Sequence, residues 1–213
     1  MIKKISLVAA ALALSFGSAS LHANVSEAEA AKLGNELTPM GAIRAGNADG
    51  SIPEWTGGIT APPAGYQVGD HHQNPFPDDK VQFTIDASNY KQYAEFLSPG
   101  QQALFEKYPS TFKMPVYQTR RTASFPDFVY DATIANATTA ELLNDGNGLK
   151  NAIMGVPFPI PQNGLEAVWN HILRYRGAEV TREGGQVAMT ESGAYTYVGF
   201  NDQLKIKYSE PRV

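Results

Sequence analysis

Gly164-Leu165-Glu166-Ala167-Val168-Trp169-Asn170-His171-Ile172-Leu173-Arg174-Tyr175-Arg176-Gly177 is the stretch whose reading decides the fold class. Leu165, Val168, Trp169, Ile172 and Leu173 recur at i, i+3, i+4, i+7 and i+8, the spacing of a single buried helix face. Gly177 supplies the stop. Beyond it the hydrophobic period changes to two. Residues 179–183, 186–190, 194–200 and 204–208 read as strands. Gly184-Gly185, Ser192-Gly193 and Asn201-Asp202 read as the turns of an antiparallel meander. A helix leading into such a meander predicts an α+β chain.

Upstream, Gly155-Val156-Pro157-Phe158-Pro159-Ile160-Pro161 is extended, because residues before proline avoid the helical region. Asn144-Asp145-Gly146-Asn147-Gly148 is a turn. Residues 127–143 are ambiguous: the alanines favour a helix, whereas Asn136, Thr138 and Thr139 weaken one. Residues 112–118 read as a strand kept near an edge by Pro115, with 120–125 as its partner. Ser98, Pro99 and Gln101 form a capping box that opens a helix through Tyr108, paired with a helix over 88–97. Ser26 and Glu29 form another box, for a short helix ending at Gly34. Between the two boxes, residues 37–79 are dense in Gly and Pro. They form either an ordered arm or a flexible linker, and the spacing of Trp55, Ile59, Tyr66 and Phe76 favours an arm anchored by its aromatics.

The N-terminus reads differently from all of this. Lys3-Lys4, an apolar run from Ile5 to Phe16 and small residues up to Ala23 have the order of a cleavable secretory signal peptide. The run is shorter than the ~20 residues a membrane-spanning helix needs. Cleavage is expected after Ala23, with Ala19 as the alternative, leaving an exported soluble chain. There is no cysteine, so disulfides, thiol nucleophiles and an N-terminal lipid-bearing cysteine are all excluded. With 17 basic and 21 acidic residues the net charge is −4, and removal of Lys3 and Lys4 makes it more negative. Such a balance does not suit nucleic acid or anionic headgroups.

Motifs for chemistry are missing. The chain has no Gly-rich phosphate loop, no G-x-S-x-G elbow and no H-E-x-x-H pair. Asn47-Ala48-Asp49-Gly50 has the centre of a calcium loop but places Ala45 and Thr56 where ligands are needed, and Asn147-Gly148 fails likewise with Leu143 and Met154. His71-His72 would need a third metal ligand from Asp70, Asp78 or Asp79. His171 has the chemistry of a general base, but no serine or carboxylate is placed beside it by sequence. Arg120-Arg121 suits either an anionic group or surface ion pairing. The expectation is a protein without cofactor or metal and not an enzyme.

Several segments together resemble a known family. They are Leu37-Thr38-Pro39-Met40-Gly41, Ala45 through Gly50, Ile52-Pro53-Glu54-Trp55-Thr56-Gly57-Gly58, Tyr117 through Ala123, Gly155 through Pro161, and the helix segment quoted first. The chain resembles a domain-of-unknown-function family of Gram-negative exported proteins, grouped with the outer-membrane lipoprotein-sorting, or LolA-like, superfamily. That resemblance implies a curved antiparallel sheet, an incomplete barrel packed with helices around an apolar cavity. It implies a periplasmic location. Its members are longer than this chain, so the sheet is expected to be incomplete at the C-terminal end. The expected organisation is a signal peptide over 1–23, a Pro/Gly-rich arm over 24–85 and a LolA-like α+β domain over 86–213. The expected function is a soluble binder or carrier of a lipid-like or other hydrophobic ligand in envelope transport. The alternatives are an adaptor for an envelope transporter or outer-membrane protein, and a hydrolase using His171. Phe158, Trp169, Ile172, Tyr195 and Tyr197 are the residues expected to line the cavity.

Overall fold

The computed structural model describes residues 25–210. The expected signal peptide lies outside the described residues. In chain order the elements are α1 (Glu27–Ala30), β1 (Phe83–Ile85), a 3-10 helix (Tyr90–Phe96), α2 (Pro99–Lys107), β2 (Met114–Val116), α3 (Asp127–Thr139), β3 (Glu141–Leu143), β4 (Gly148–Lys150), α4 (Gly164–Ile172), β5 (Glu179–Met189) and β6 (Tyr195–Lys205). Among the described residues the strands form three separate two-stranded antiparallel sheets, β1–β2, β3–β4 and β5–β6, with no closed barrel. The chain is thus a mixture of helix and antiparallel sheet. It divides into two compact units, one drawn from residues 1–42 and 126–213 and the other spanning Ile43–Phe125. The expected arm-to-domain boundary at 85/86 falls inside the second unit.

In the first unit α1 opens with the anticipated capping box: Ser26 accepts from the Glu29 N–H, and Glu29 reaches back to the Ser26 N–H. Val25, Ala30 and Leu33 pack with Ala137 of α3, joined by Leu37, Ile134 and Ile160. The ambiguous segment is helical over Asp127–Thr139. The residues that weaken a free helix are what hold this one in place. The Thr133 hydroxyl donates to the Val129 carbonyl at 2.8 Å and accepts from the Val156 N–H at 3.1 Å. The Asn136 amide donates to the carbonyls of Ile153 (3.0 Å) and Val156 (3.2 Å) and accepts from the Ile153 N–H (3.1 Å). Both side chains are buried, and with every polar group occupied their burial is not penalised. Gly155 sits so close to α3 that a Cβ there would overlap the Thr133 hydroxyl. Met154, beside it, has φ +65°, a strained conformation for a side chain of its size. Tyr208 holds the turn: its carbonyl accepts from the Met154 N–H (2.7 Å) and its hydroxyl donates to the Gly155 carbonyl (2.8 Å).

The second unit has its own core of Ile85, Tyr90, Leu97 and Phe105, with Tyr93, Phe112, Met114 and Val116 against it. The α2 capping box from Ser98 to Gln101 is present. The strand expected over 112–118 contracts to β2, and its partner is β1, with Thr84 opposite Pro115, instead of 120–125. The segment 120–125 is occupied otherwise. It receives the Gly-rich arm: the Trp55 indole donates to the Ala123 carbonyl at 2.8 Å and the Ile59 N–H to the Thr122 carbonyl at 3.0 Å. Arg121 donates to the carbonyls of Ile43, Arg44, Ala45 and Pro53. One guanidinium therefore satisfies four carbonyls of a loop that has no sheet partner of its own.

Candidate functional site

Helix α4 starts at Asn163, whose side chain accepts from the Glu166 N–H at 3.1 Å. Glu166 folds back over the same end. Its carboxylate accepts from the Gln162 N–H (2.6 Å) and from the Asn163 amide (2.8 Å). Glu166 is 0% exposed, and a negative group suits a helix N-terminus. This reverses the expected orientation. Leu165 (49%), Val168 (53%) and Ile172 (46%), read as buried, are exposed to solvent. The helix is anchored by a polar clamp and by Trp169, and most of its apolar stripe is left uncovered. The spacing of apolar residues identified the stripe, but spacing does not say whether anything covers it.

The meander is also different from expectation. In place of four short strands there is one hairpin of two 11-residue strands, paired without interruption from Glu179 opposite Lys205 to Met189 opposite Tyr195. Only Ser192-Gly193 lies in a turn. The Gly193 N–H donates to the Thr190 carbonyl (3.0 Å), and Gly193 has φ +84°, the left-handed residue of a three-residue hairpin loop. Gly184-Gly185 lies within β5, where the missing side chains make room for aromatic rings from β6. Phe200 covers Gly184 on one face, 2.9 Å from where a Cβ would be, and Tyr197 covers Gly185 on the other. Asn201-Asp202 lies within β6. Asn201 donates to Glu183, and Asp202 is paired in a two-pronged ion pair with Arg182 directly opposite. Arg182 holds the Asp202 carboxyl below its ordinary value, chiefly by hydrogen bonding. Turn-type residues are tolerated here because each finds a cross-strand use.

Strand alternation sorts the hairpin into two faces. One carries Val187 opposite Tyr197 and Met189 opposite Tyr195 beside the turn. All four are half or more exposed, Met189 at 73% and Tyr195 at 69%. Of the five residues expected to line a cavity, the structure brings two together. Phe158 is buried with Ala140 and Ala152, and Trp169 packs on that cluster with Leu142, Leu149 and Tyr208. Asn170 clamps the Phe158 backbone, accepting from its N–H (2.9 Å) and donating to its carbonyl (2.7 Å), and the Trp169 indole donates to the Gly146 carbonyl (2.8 Å). Ile172, Tyr195 and Tyr197 stand outside this cluster, on exposed surface. Sequence reading missed Val187 and Met189. Their position opposite the two tyrosines depends on the unbroken register, which the Gly-Gly pair concealed.

The remaining candidates are occupied structurally. Arg120 forms a two-pronged pair with Asp79 (2.9 and 2.5 Å) and lies 4.1 Å over the Phe76 ring. The Asp79 carboxyl is held below its ordinary value, first by that hydrogen bond. His72 stacks with Tyr66. Among the described residues no three His, Asp or Glu side chains gather as a metal site. His171 is exposed; its backbone carbonyl accepts from Arg174, and among the described residues no hydroxyl or carboxylate is hydrogen-bonded to its ring. No helix of the described residues is long and apolar enough to cross a membrane.

Comparison with known proteins bears on these same segments. Residues 84–212, which include α4 and the hairpin, match the family described as Protein of unknown function (DUF1329). The chain belongs to the DUF1329 family. It is also similar to the uncharacterized protein PA3922 of Pseudomonas aeruginosa, 49% identical over 204 residues, a match covering 96% of this chain and 45% of that relative. This DUF1329 chain thus spans less than half the length of the curated relative it matches. No solved structure matches it.

Proposed function

We propose that this DUF1329 chain is a non-enzymatic binding protein that takes up a lipid-like or other hydrophobic ligand in the periplasm, after export and loss of residues 1–23, and serves envelope transport. The patch of Val187, Met189, Tyr195 and Tyr197 carries this reading. Four large side chains adjoin on one face of the hairpin and are left to solvent. Apolar side chains grouped in this way mark surfaces that meet another molecule. Two of the four are tyrosines, whose rings contact an apolar ligand while their hydroxyls keep water. The uncovered stripe of Leu165, Val168 and Ile172 adds a second apolar surface within the same unit. The LolA-like resemblance agrees with a hydrophobic ligand, although a fold does not by itself assign a function.

A fluorescent fatty-acid titration tests the proposal. Saturable binding is expected for the native chain, weakened about tenfold or more in a Tyr195→Ser/Tyr197→Ser variant, which corresponds to at least roughly 1.4 kcal/mol. Absence of saturable binding, or equal binding by the variant, overturns it.

A second reading, an adaptor for an envelope transporter or outer-membrane protein, rests on the open strand edges of the hairpin. Periplasmic crosslinking to one specific partner, undiminished in the same tyrosine variant, would favour the adaptor over the carrier.

A further inference from the structure

The hydrogen bonding of the hairpin fixes which backbone groups are free. At its turn the Thr190 N–H donates to the Ala194 carbonyl (2.9 Å), and at its base the Ile206 N–H donates to the Ala178 carbonyl (2.7 Å). Hydrogen-bonded and non-hydrogen-bonded pairs alternate along an antiparallel ladder. With an unbroken register between those ends, the even-numbered residues bond inside the hairpin. The N–H and C=O groups of Tyr195, Tyr197, Gly199, Asn201, Gln203 and Lys205 therefore point away from β5. Among the described residues no third strand meets them. This leaves an open edge roughly 35 Å long.

Protein edges of this length are ordinarily blunted by proline, bulges or free charges. β6 has no proline and no bulge. Its two charges are engaged, Asp202 by Arg182 and Lys205 by Glu179 and Glu210. The half nearest the turn, Tyr195-Thr196-Tyr197-Val198-Gly199-Phe200, is rich in strand-forming residues. β5 is the poorer edge. It carries Glu179, Arg182 and Glu183 together with two adjacent glycines, which weaken strand pairing.

We propose that the β6 edge binds β6 of a second copy of this chain, joining two hairpins into one four-stranded antiparallel sheet. An antiparallel register about a two-fold axis at Phe200 places Tyr195 opposite Lys205 of the second copy, Tyr197 opposite Gln203 and Gly199 opposite Asn201. Odd residues then meet odd residues, the condition for the outward-pointing groups to bond, and about a dozen main-chain hydrogen bonds close. No like charges meet: Asp202 faces Val198, and Phe200 faces its own counterpart. Shifts of two residues in either direction shorten the overlap. Such a contact is isologous and closes after two chains. It is independent of the ligand reading, since the tyrosine patch stays exposed on the face of the sheet.

Light-scattering mass measurement of the full exported chain, over a range of concentrations, tests the proposal. The native chain is expected to have the mass of two chains. Gln203→Pro, which removes an outward N–H without touching a bond inside the hairpin, is expected to halve that mass. Thr181→Pro, the same change on the β5 edge, is expected to leave it intact. Hydrogen exchange on the native chain supplies a check independent of variant folding: the amides of Tyr197, Gly199, Asn201 and Gln203 should gain protection as concentration rises. A native chain that is monomeric throughout, a dimer that survives Gln203→Pro but not Thr181→Pro, or outward amides whose exchange ignores concentration each overturns it.

Discussion

The ring of Tyr197 lies over Gly185 on the facing strand, in the space a Cβ on Gly185 would occupy. This contact sets the direction of the ring and hence the shape of the apolar patch. Gly185→Ala forces ring and methyl apart, an overpacking that costs about 1–3 kcal/mol. Tyr197→Ala in the same chain removes the obstacle, so the two changes should combine to less than their sum. Urea denaturation of the two single variants and the double variant measures this coupling.

Glu166 and Ile172 lie on the same helix and should behave in opposite ways. Glu166→Ala strips the Gln162 N–H and the Asn163 amide of their acceptor, and an orphaned buried donor costs about 1–3 kcal/mol. Ile172→Ser alters an exposed position and should move stability by no more than about 0.5 kcal/mol. Thermal unfolding distinguishes them. A helix anchored by its apolar stripe gives the reverse order.

Asn136 makes three hydrogen bonds to the 153–156 turn. Asn136→Ala should destabilise the chain by about 2–4 kcal/mol, several buried backbone groups losing their partner at once. Nuclear magnetic resonance of the Met154 amide should also show the left-handed turn relaxing, since little else holds a methionine at φ +65°.

Stability should fall at both ends of the pH scale, for different reasons. Asp79 and Asp202 have carboxyls held below the ordinary value, each first by hydrogen bonding from its arginine. Their contribution is present above about pH 4, the ordinary Asp value, and is lost as pH falls through the lowered one. Both are solvent-accessible pairs, so the acid limb should be shallow and reduced by salt. Tyr208 works in the other direction. Burial raises its phenol above the ordinary value, so its contribution is intact below about pH 10 and drains away as pH climbs further. Tyr208→Phe should flatten the alkaline limb and leave the acid limb unchanged in a pH series of denaturant midpoints.

Local signals in the sequence were legible where one residue type settles one local geometry. The Ser26–Glu29 and Ser98–Gln101 capping boxes and the left-handed Gly193 fall in that class. Long-range pairing was not legible. Gly184-Gly185 reads as a turn until Tyr197 and Phe200 are known to lie across it. Thr133 and Asn136 read as flaws in a helix until the 153–156 turn is seen to use them. The stripe on α4 was found, but its exposure follows from the clamp at Glu166, a contact that hydrophobic periodicity cannot register. The same holds for the site: the two tyrosines were identified from the strand pattern, whereas Val187 and Met189 required the register.

The most direct test of a hydrophobic ligand on the hairpin face is native mass spectrometry of the exported chain purified from a Gram-negative host. The native protein should carry a non-covalent mass that extracts into organic solvent, and the Tyr195→Ser/Tyr197→Ser variant should carry none. A native protein that arrives empty, or a variant that retains the same adduct, contradicts the account.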